Sequence, residues 1–277
     1  MGILEAIILG IIEGFTEFLP ISSTAHLTIA EKAMGFSIKD PGYVAFTAII
    51  QTGAVIATII YFRKDVVRLV SAWFEGLFSS SKRGRDYKFG WAVIIGSIPI
   101  AIIGLAFKDQ IETGVRSLWL IAAALIIWSG VMWLADRTAK LNRHEKDADW
   151  KDTLFIGVMQ VLALIPGVSR SGATISGGLF RGLDRVTATR LSFFLAIPAL
   201  LAAGLLEAVT KADNISSSIG WIPTIVATVV TFLTAYMTVA WLLRYISKHG
   251  FGVFIIYRIA LGILLIVLLS TGAIAAA

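Results

Sequence analysis

The chain has 277 residues, 57% of them hydrophobic and only 15% charged. A soluble domain carries about 25% charged residues, so composition excludes a soluble globular protein. The net charge of +6 is not a nucleic-acid footprint, because the basic residues fall in short segments between apolar runs, where membrane topology explains them. With no cysteine, disulfides, thiolate nucleophiles and cysteine metal sites are excluded as well.

The first element, residues 10–30, reads GIIEGFTEFLPISSTAHLTIA and is an apolar segment broken near its middle by Pro20. No lysine or arginine precedes it and no Ala-x-Ala-type cleavage site follows, so it is not expected to be a removed signal peptide. Three apolar runs come next, at 43–62, 91–107 and 117–135, each near the ~20 residues that a bilayer-spanning helix needs. Residues 136–152 (DRTAKLNRHEKDADWKD) are polar and charged and form a linker. Residues 157–178, GVMQVLALIPGVSRSGATISGG, are again broken, at Pro166-Gly167, and runs at 191–206, 221–243 and 251–270 follow. Trp73, Trp91, Trp119, Trp133, Trp150 and Trp221 lie near run ends, as an interfacial belt requires. No separate soluble domain is expected.

The two broken segments resemble one another. Aligned on Pro20 and Pro166 with a one-residue slip, Ser22-Ser23-Thr24 falls opposite Ser169-Arg170-Ser171. Basic residues decide whether these segments cross. If both enter and return, Arg63, Lys64, Arg68, Lys82, Arg83, Arg85, Lys88, Arg137, Lys140, Arg143, Lys146, Lys151, Arg181, Arg185, Arg190, Arg244 and Lys248 are cytoplasmic. Lys32, Lys39, Lys108, Arg116 and Lys211 are then outside, an asymmetry that satisfies the positive-inside rule. The predicted fold is therefore an all-α polytopic membrane protein, an inverted-topology repeat with six transmembrane helices and two re-entrant helical hairpins. Residues 1–135 form the first repeat (hairpin 1–30), 136–152 a cytoplasmic linker, and 153–277 the second repeat (hairpin 153–180), all one integral membrane domain.

Ionisable groups at membrane depth are costly and mark function, and both broken segments carry them. Glu13 and Glu17, four apart, share a helix face; two such carboxylates need a proton, Na⁺ or a hard divalent ion between them. His26 follows the break and is suited to act as nucleophile, general acid or base, or ligand. Ser22, Ser23 and Thr24 supply hydroxyls, and a serine nucleophile there would have His26 as its obvious base. In the second segment, Pro166 and Gly167 interrupt the helix, freeing amides, and the restart near Ser171 offers an N-terminus to an anion. Arg170 adds a fork suited to phosphate oxygens, and Ser169, Ser171 and Thr174 can hydrogen-bond them. An anion cradle facing acids and an imidazole suits phosphoryl chemistry on a lipid-linked phosphate. The competing reading is an ion-coupled transporter or lipid flippase, since broken repeats and paired carboxylates also serve transport. Arg258, inside the last run, is expected either to snorkel or to pair with an acid.

Residues 13–26 (EGFTEFLPISSTAH) and 166–174 (PGVSRSGAT) closely resemble the two signature motifs of bacterial undecaprenyl-diphosphate phosphatase of the bacitracin-resistance type, and the similarity extends over the whole chain, including SFFLAIPALL at 192–201. The resemblance implies a multi-pass enzyme of the bacterial plasma (inner) membrane, its active site open to the outer, periplasmic side. It would remove the terminal phosphate of undecaprenyl diphosphate, recycling the carrier lipid for peptidoglycan and conferring bacitracin resistance. It further implies a divalent metal, Mg²⁺ or Ca²⁺, on Glu13 and Glu17; Ser23 and His26 as nucleophile or base; Arg170 as diphosphate clamp; and Ser22, Thr24, Gly167, Ser169, Ser171 and Thr174 around the phosphates. Its partners are the polyprenyl diphosphate and membrane lipids, not nucleic acid, and a homodimer is compatible with it.

Overall fold

The computed structural model describes residues 1–37, 40–107 and 117–275; Lys39, Lys108 and Arg116, counted above as outer-side residues, lie outside them. The described residues are helical between short connections, with only an isolated bridge between Arg143 and Leu183 in extended backbone. Among the described residues, six helices are long and apolar enough to cross a membrane: α3 (Pro41–Tyr61), α5 (Arg85–Ala106), α6 (Leu118–Thr138), α9 (Arg185–Thr210), α11 (Trp221–Ile246) and α12 (Gly252–Ser270). Each covers one predicted apolar run to within one residue. Local chemistry sets the starts of two of them. Asp40 accepts the Gly42 amide ahead of Pro41 at the first turn of α3, and Asp184 accepts the Thr187 amide at the start of α9, which relieves amides that a helix leaves unpaired.

The broken segments form two pairs of short helices, α1 (Ile3–Thr16) with α2 (Ser23–Ala33), and α7 (Trp150–Val161) with α8 (Arg170–Phe180). Their lengths of 14, 11, 12 and 11 residues correspond to roughly 16–21 Å, short of the ~30 Å hydrocarbon core. Between the apolar runs 43–62 and 91–107, Arg63–Phe78 is a further helix, α4, packed against α5. Its apolar residues recur at helical spacing: Leu69 is buried, while Phe74 and Phe78 stand exposed, the pattern of an interfacial helix. A seven-residue helix, α10 (Ala212–Ser218), precedes α11.

The dominant packing pairs join the two halves of the chain. Helix α1 packs on α11 and α7 on α5, while α3 meets α9 and α6 meets α12. Glycine makes the first two approaches possible. A Cβ at Gly10 would meet the Ala227 carbonyl oxygen at 2.6 Å, and one at Gly157, its counterpart in the repeat, would overlap the Gly96 carbonyl. Small residues at such crossings let backbones close up. The largest buried cluster, with Phe18, Trp128, Phe193 and Phe194, lies around the two breaks. Large side chains such as Ile127, Ile222, Met237 and Ile256 point outward, as they do in a lipid-facing surface.

The linker is tied down rather than loose. Arg143 grips Asp152 at 2.9 and 2.6 Å, Arg181 reaches the same carboxylate at 2.7 Å, and Arg190 spans Asp65 and Glu145 at 2.9 and 2.8 Å.

Candidate active site

Both breaks end in the same uncommon backbone. Ser22 has φ 74° and Ser169 has φ 76°, a region that non-glycine residues occupy at a cost of about 1–3 kcal/mol. Each then caps the following helix through its hydroxyl, Ser22 accepting the Ala25 amide at 3.4 Å and Ser169 the Gly172 amide at 3.2 Å. Gly167, at φ 99°, supplies the turn after Pro166 that a larger residue would strain. The twin breaks turn Ser23 and Arg170, the first residues of α2 and α8, toward one another.

Arg170 donates to Glu17 Oε1 from Nη2 at 3.0 Å and from Nε at 3.3 Å, to the Glu17 carbonyl at 3.4 Å, and to the Ser192 carbonyl at 3.1 Å. Its guanidinium also lies over the Phe18 ring, 5.2 Å from the centroid. The other Glu17 oxygen, Oε2, accepts the Ser23 hydroxyl at 2.6 Å. Ser171 Oγ donates to the Leu19 carbonyl at 2.8 Å, a second tie between the breaks, and stands 3.1 Å from Ser169 Oγ. A buried ion pair of this kind is weak as a stabilising device, and both partners border a cavity.

That cavity, of about 480 Å³, is lined at its polar end by Glu17, Ser22, Ser23, Thr24, Ser169 and Arg170, with Pro166 and Gly167 beside them. Its far wall comes from α3, α5 and α9, including Val44, Ile100, Leu105, Leu200 and Leu206. It is therefore amphipathic: a charged floor under an apolar cleft.

Four of the residues singled out from sequence do not line it. Thr174 is fully buried, donates to the Arg170 carbonyl at 2.8 Å and pairs with the Ser192 hydroxyl at 2.6 Å, so in this structure it braces α8. Ser171 is likewise spent on the Leu19 carbonyl. His26 faces α12. Its Nδ1 lies 2.7 Å from the Ser22 carbonyl and its Nε2 2.6 Å from the Tyr257 hydroxyl. A carbonyl only accepts, so Nδ1 carries the hydrogen and Nε2 receives the Tyr257 hydroxyl. The group that holds the Ser23 hydroxyl in this structure is Glu17, while His26 is engaged by the Ser22 carbonyl and Tyr257. One-dimensional spacing could not show this, because it does not tell which way a side chain turns after a break.

Glu13 is fully buried one turn before Glu17. Neither of its oxygens meets a donor among the described residues. Its polar neighbour is the Glu17 carboxyl, and two carboxylates share such a space only with a proton or cation between them. Among the described residues there is no group of three acidic, histidine or cysteine ligands. A hard divalent ion is commonly bound by one or two carboxylates plus substrate phosphate oxygens and water, so the Glu13–Glu17 pair fits that role.

Arg258 was expected to snorkel or to pair with an acid, and it does neither. Fully buried, it donates to Ser129 Oγ at 3.2 Å and to the carbonyls of Pro20, Gly167 and Ala124 at 3.3, 3.0 and 3.5 Å. Sequence signalled only that the charge was embedded; its partners are backbone atoms, which carry no side-chain signature.

Six apolar spans around an amphipathic cavity floored by Glu17 and Arg170 define a multi-pass membrane protein. The chain belongs to the bacitracin resistance protein BacA family, whose model matches residues 6–264. It is 59% identical over 277 residues to "Undecaprenyl-diphosphatase 3" of Frankia casuarinae, covering 100% of both chains. It is 54% identical over 284 residues to "Undecaprenyl-diphosphatase" of Cutibacterium acnes, again over 100% of both. With "Undecaprenyl-diphosphatase 1" of Streptomyces avermitilis it shares 52% identity over 270 residues, 97% of this chain and 96% of that one.

Proposed function

We propose that this protein hydrolyses undecaprenyl diphosphate to undecaprenyl phosphate and inorganic phosphate, with the reaction at Glu17, Ser23 and Arg170. The observation that carries this reading is a serine hydroxyl held 2.6 Å from a carboxylate that also pairs with an arginine, all bordering one cavity. A nucleophile in hydrogen-bond reach of a base oriented by a third group is the arrangement of covalent catalysis. The cavity suits the substrate class, since a diphosphate matches its charged floor and a prenyl chain its apolar wall. Full-length relatives named undecaprenyl-diphosphatase support it. Transport remains the weaker reading, because a carrier has no need of a nucleophile beside an anion cradle.

The incoming terminal phosphate takes the place of Glu17 Oε1 at Arg170, whose planar fork suits phosphate oxygens. Glu17 receives the Ser23 proton as Ser23 Oγ bonds to the terminal phosphorus. The bridging P–O bond breaks and undecaprenyl phosphate leaves. Glu17 passes its proton to the departing oxygen and is a carboxylate again. Water then attacks the phosphoserine and gives a proton to Glu17. As the Ser23–phosphorus bond breaks and phosphate leaves, Glu17 returns that proton to Ser23 Oγ. Glu13 and Glu17 would hold Mg²⁺ or Ca²⁺, which when bound supplies charge neutralisation for the phosphate oxygens. His26 holds the Ser22 turn in place from behind.

The pairing of α1 with α11 and of α7 with α5 supports an inverted repeat whose short helix pairs are re-entrant, one from each face. With the basic linker on the cytoplasmic side of the inner membrane, the first pair enters from outside and the cavity opens there. The test is phosphate release from a long-chain polyprenyl diphosphate in detergent, with and without EDTA. Release lost with EDTA and restored by Mg²⁺ or Ca²⁺ is expected; no release, with ion-driven uptake into vesicles, would overturn the assignment. For topology, Lys211→Cys should be labelled from outside and Arg185→Cys should not.

A further inference from the structure

We infer that Arg258 is a positioning residue that fixes the two helix breaks against each other, and with them the spacing between Ser23 and Arg170. It stands on α12, outside both broken pairs, and is not among the residues lining the cavity. Its fully buried guanidinium bonds no carboxylate among the described residues. Two of its acceptors are the carbonyls of Pro20 and Gly167, and these belong to the two interruptions. Ser129 Oγ and the Ala124 carbonyl, both on α6, complete the set.

A cation in this position is a poor stabiliser. Burial of an unpaired charge is costly, and an apolar side chain would fill a spanning helix more cheaply. Backbone carbonyls at interrupted helix ends carry partial negative charge, so they offset the guanidinium only while they stay where the breaks put them. Each bridged carbonyl lies three residues before a reacting group: Pro20 before Ser23, and Gly167 before Arg170. One rigid, planar group thus sets the distance between nucleophile and phosphate clamp from behind. The neighbouring Tyr257 adds a parallel tie, its hydroxyl 2.6 Å from His26 Nε2, so α12 braces the first break at two points.

The proposal rests on the phosphatase reading, and its test separates the two. Lysine keeps the charge but presents one ammonium, which cannot span both carbonyls. Misplacement by about 1 Å costs roughly a hundredfold in rate. In Arg258→Lys, kcat should therefore fall about a hundredfold while KM changes less than threefold, because the apolar cleft and Arg170 still bind substrate. The chain lacks cysteine, so spin labels at Ala33→Cys and Phe180→Cys report the separation of α2 and α8 cleanly. Their distance distribution should broaden in Arg258→Lys. A kcat within threefold of wild type, or a distribution as narrow as wild type's, overturns the proposal. Absence of phosphate release by the wild type would sink the phosphatase reading alone and leave the distance distribution to decide the bridge. If Arg258→Lys does not fold, Ser129→Ala decides, since it removes one acceptor and leaves the charge. A kcat lowered at least fivefold at unchanged KM supports the proposal, and an unchanged kcat refutes it.

Discussion

Replacing Arg170 by lysine separates its two duties, holding Glu17 and holding phosphate. The guanidinium makes four donations, two to Glu17 Oε1, one to the Glu17 carbonyl and one to the Ser192 carbonyl. Lysine preserves the charge opposite Glu17, so the buried carboxylate keeps a cation. Alanine leaves that carboxylate with Ser23 alone, and breaking a buried pair costs about 3–5 kcal/mol. Arg170→Lys should therefore fold and Arg170→Ala should melt far lower. For chemistry the order of loss is different. A point charge cannot clamp two phosphate oxygens, and removing one preorganised charge-stabilising contact costs about 2.7–4 kcal/mol, or 10²–10³ in kcat. Arg170→Lys should thus show near-wild-type thermal unfolding in detergent with phosphate release reduced by roughly 10²–10³. Release within threefold of wild type would refute the clamp, and equal melting of the lysine and alanine variants would refute the pairing argument.

Gly157→Ala should lower the melting temperature, since its Cβ would overlap the Gly96 carbonyl and overpacking costs about 1–3 kcal/mol. Gly104→Ala should be neutral or stabilising, because its Cβ meets nothing within 4 Å and alanine favours helix by roughly 0.5–1 kcal/mol; equal effects at the two sites would contradict the packing. Gly104 borders the cleft, so Gly104→Phe should impair a C55 diphosphate far more than farnesyl diphosphate in parallel release assays. Burial works against charge on Asp184, yet bonds from the Thr187 amide and hydroxyl and from His144 outweigh it and hold the carboxyl below the usual range. Its stabilisation is therefore full above about pH 4 and lost as pH falls through the lower folded value. Asp184→Asn should show a shallower loss of melting temperature in that acid window.

The six spans were legible because a run of about 20 apolar residues has one economical conformation in a bilayer, and caps such as Asp40 and Asp184 then extended the helices beyond the apolar runs. The breaks were legible from Pro20 and Pro166-Gly167, and the importance of Glu17 and Arg170 from the cost of placing ionisable groups at membrane depth. Helix α4 was hidden by Arg63, Lys64 and Asp65, whose charge reads as loop although the later residues keep helical period. The orientation of His26 and Thr174 was not legible, because it depends on the positive φ of Ser22 and Ser169, a backbone choice that serine does not announce. Arg258 was hidden for a related reason, since carbonyl partners leave no mark on composition.

The claim on which the account rests is that Ser23, held by Glu17, attacks the terminal phosphate. Ser23→Ala removes one hydroxyl and leaves the Glu17–Arg170 pair intact, so the variant should fold as the wild type does. Measured side by side on a long-chain polyprenyl diphosphate with saturating Mg²⁺, its phosphate release should fall at least about a thousandfold, in the range seen when a nucleophile is removed. Release within threefold of wild type from a normally folded Ser23→Ala protein would contradict the account.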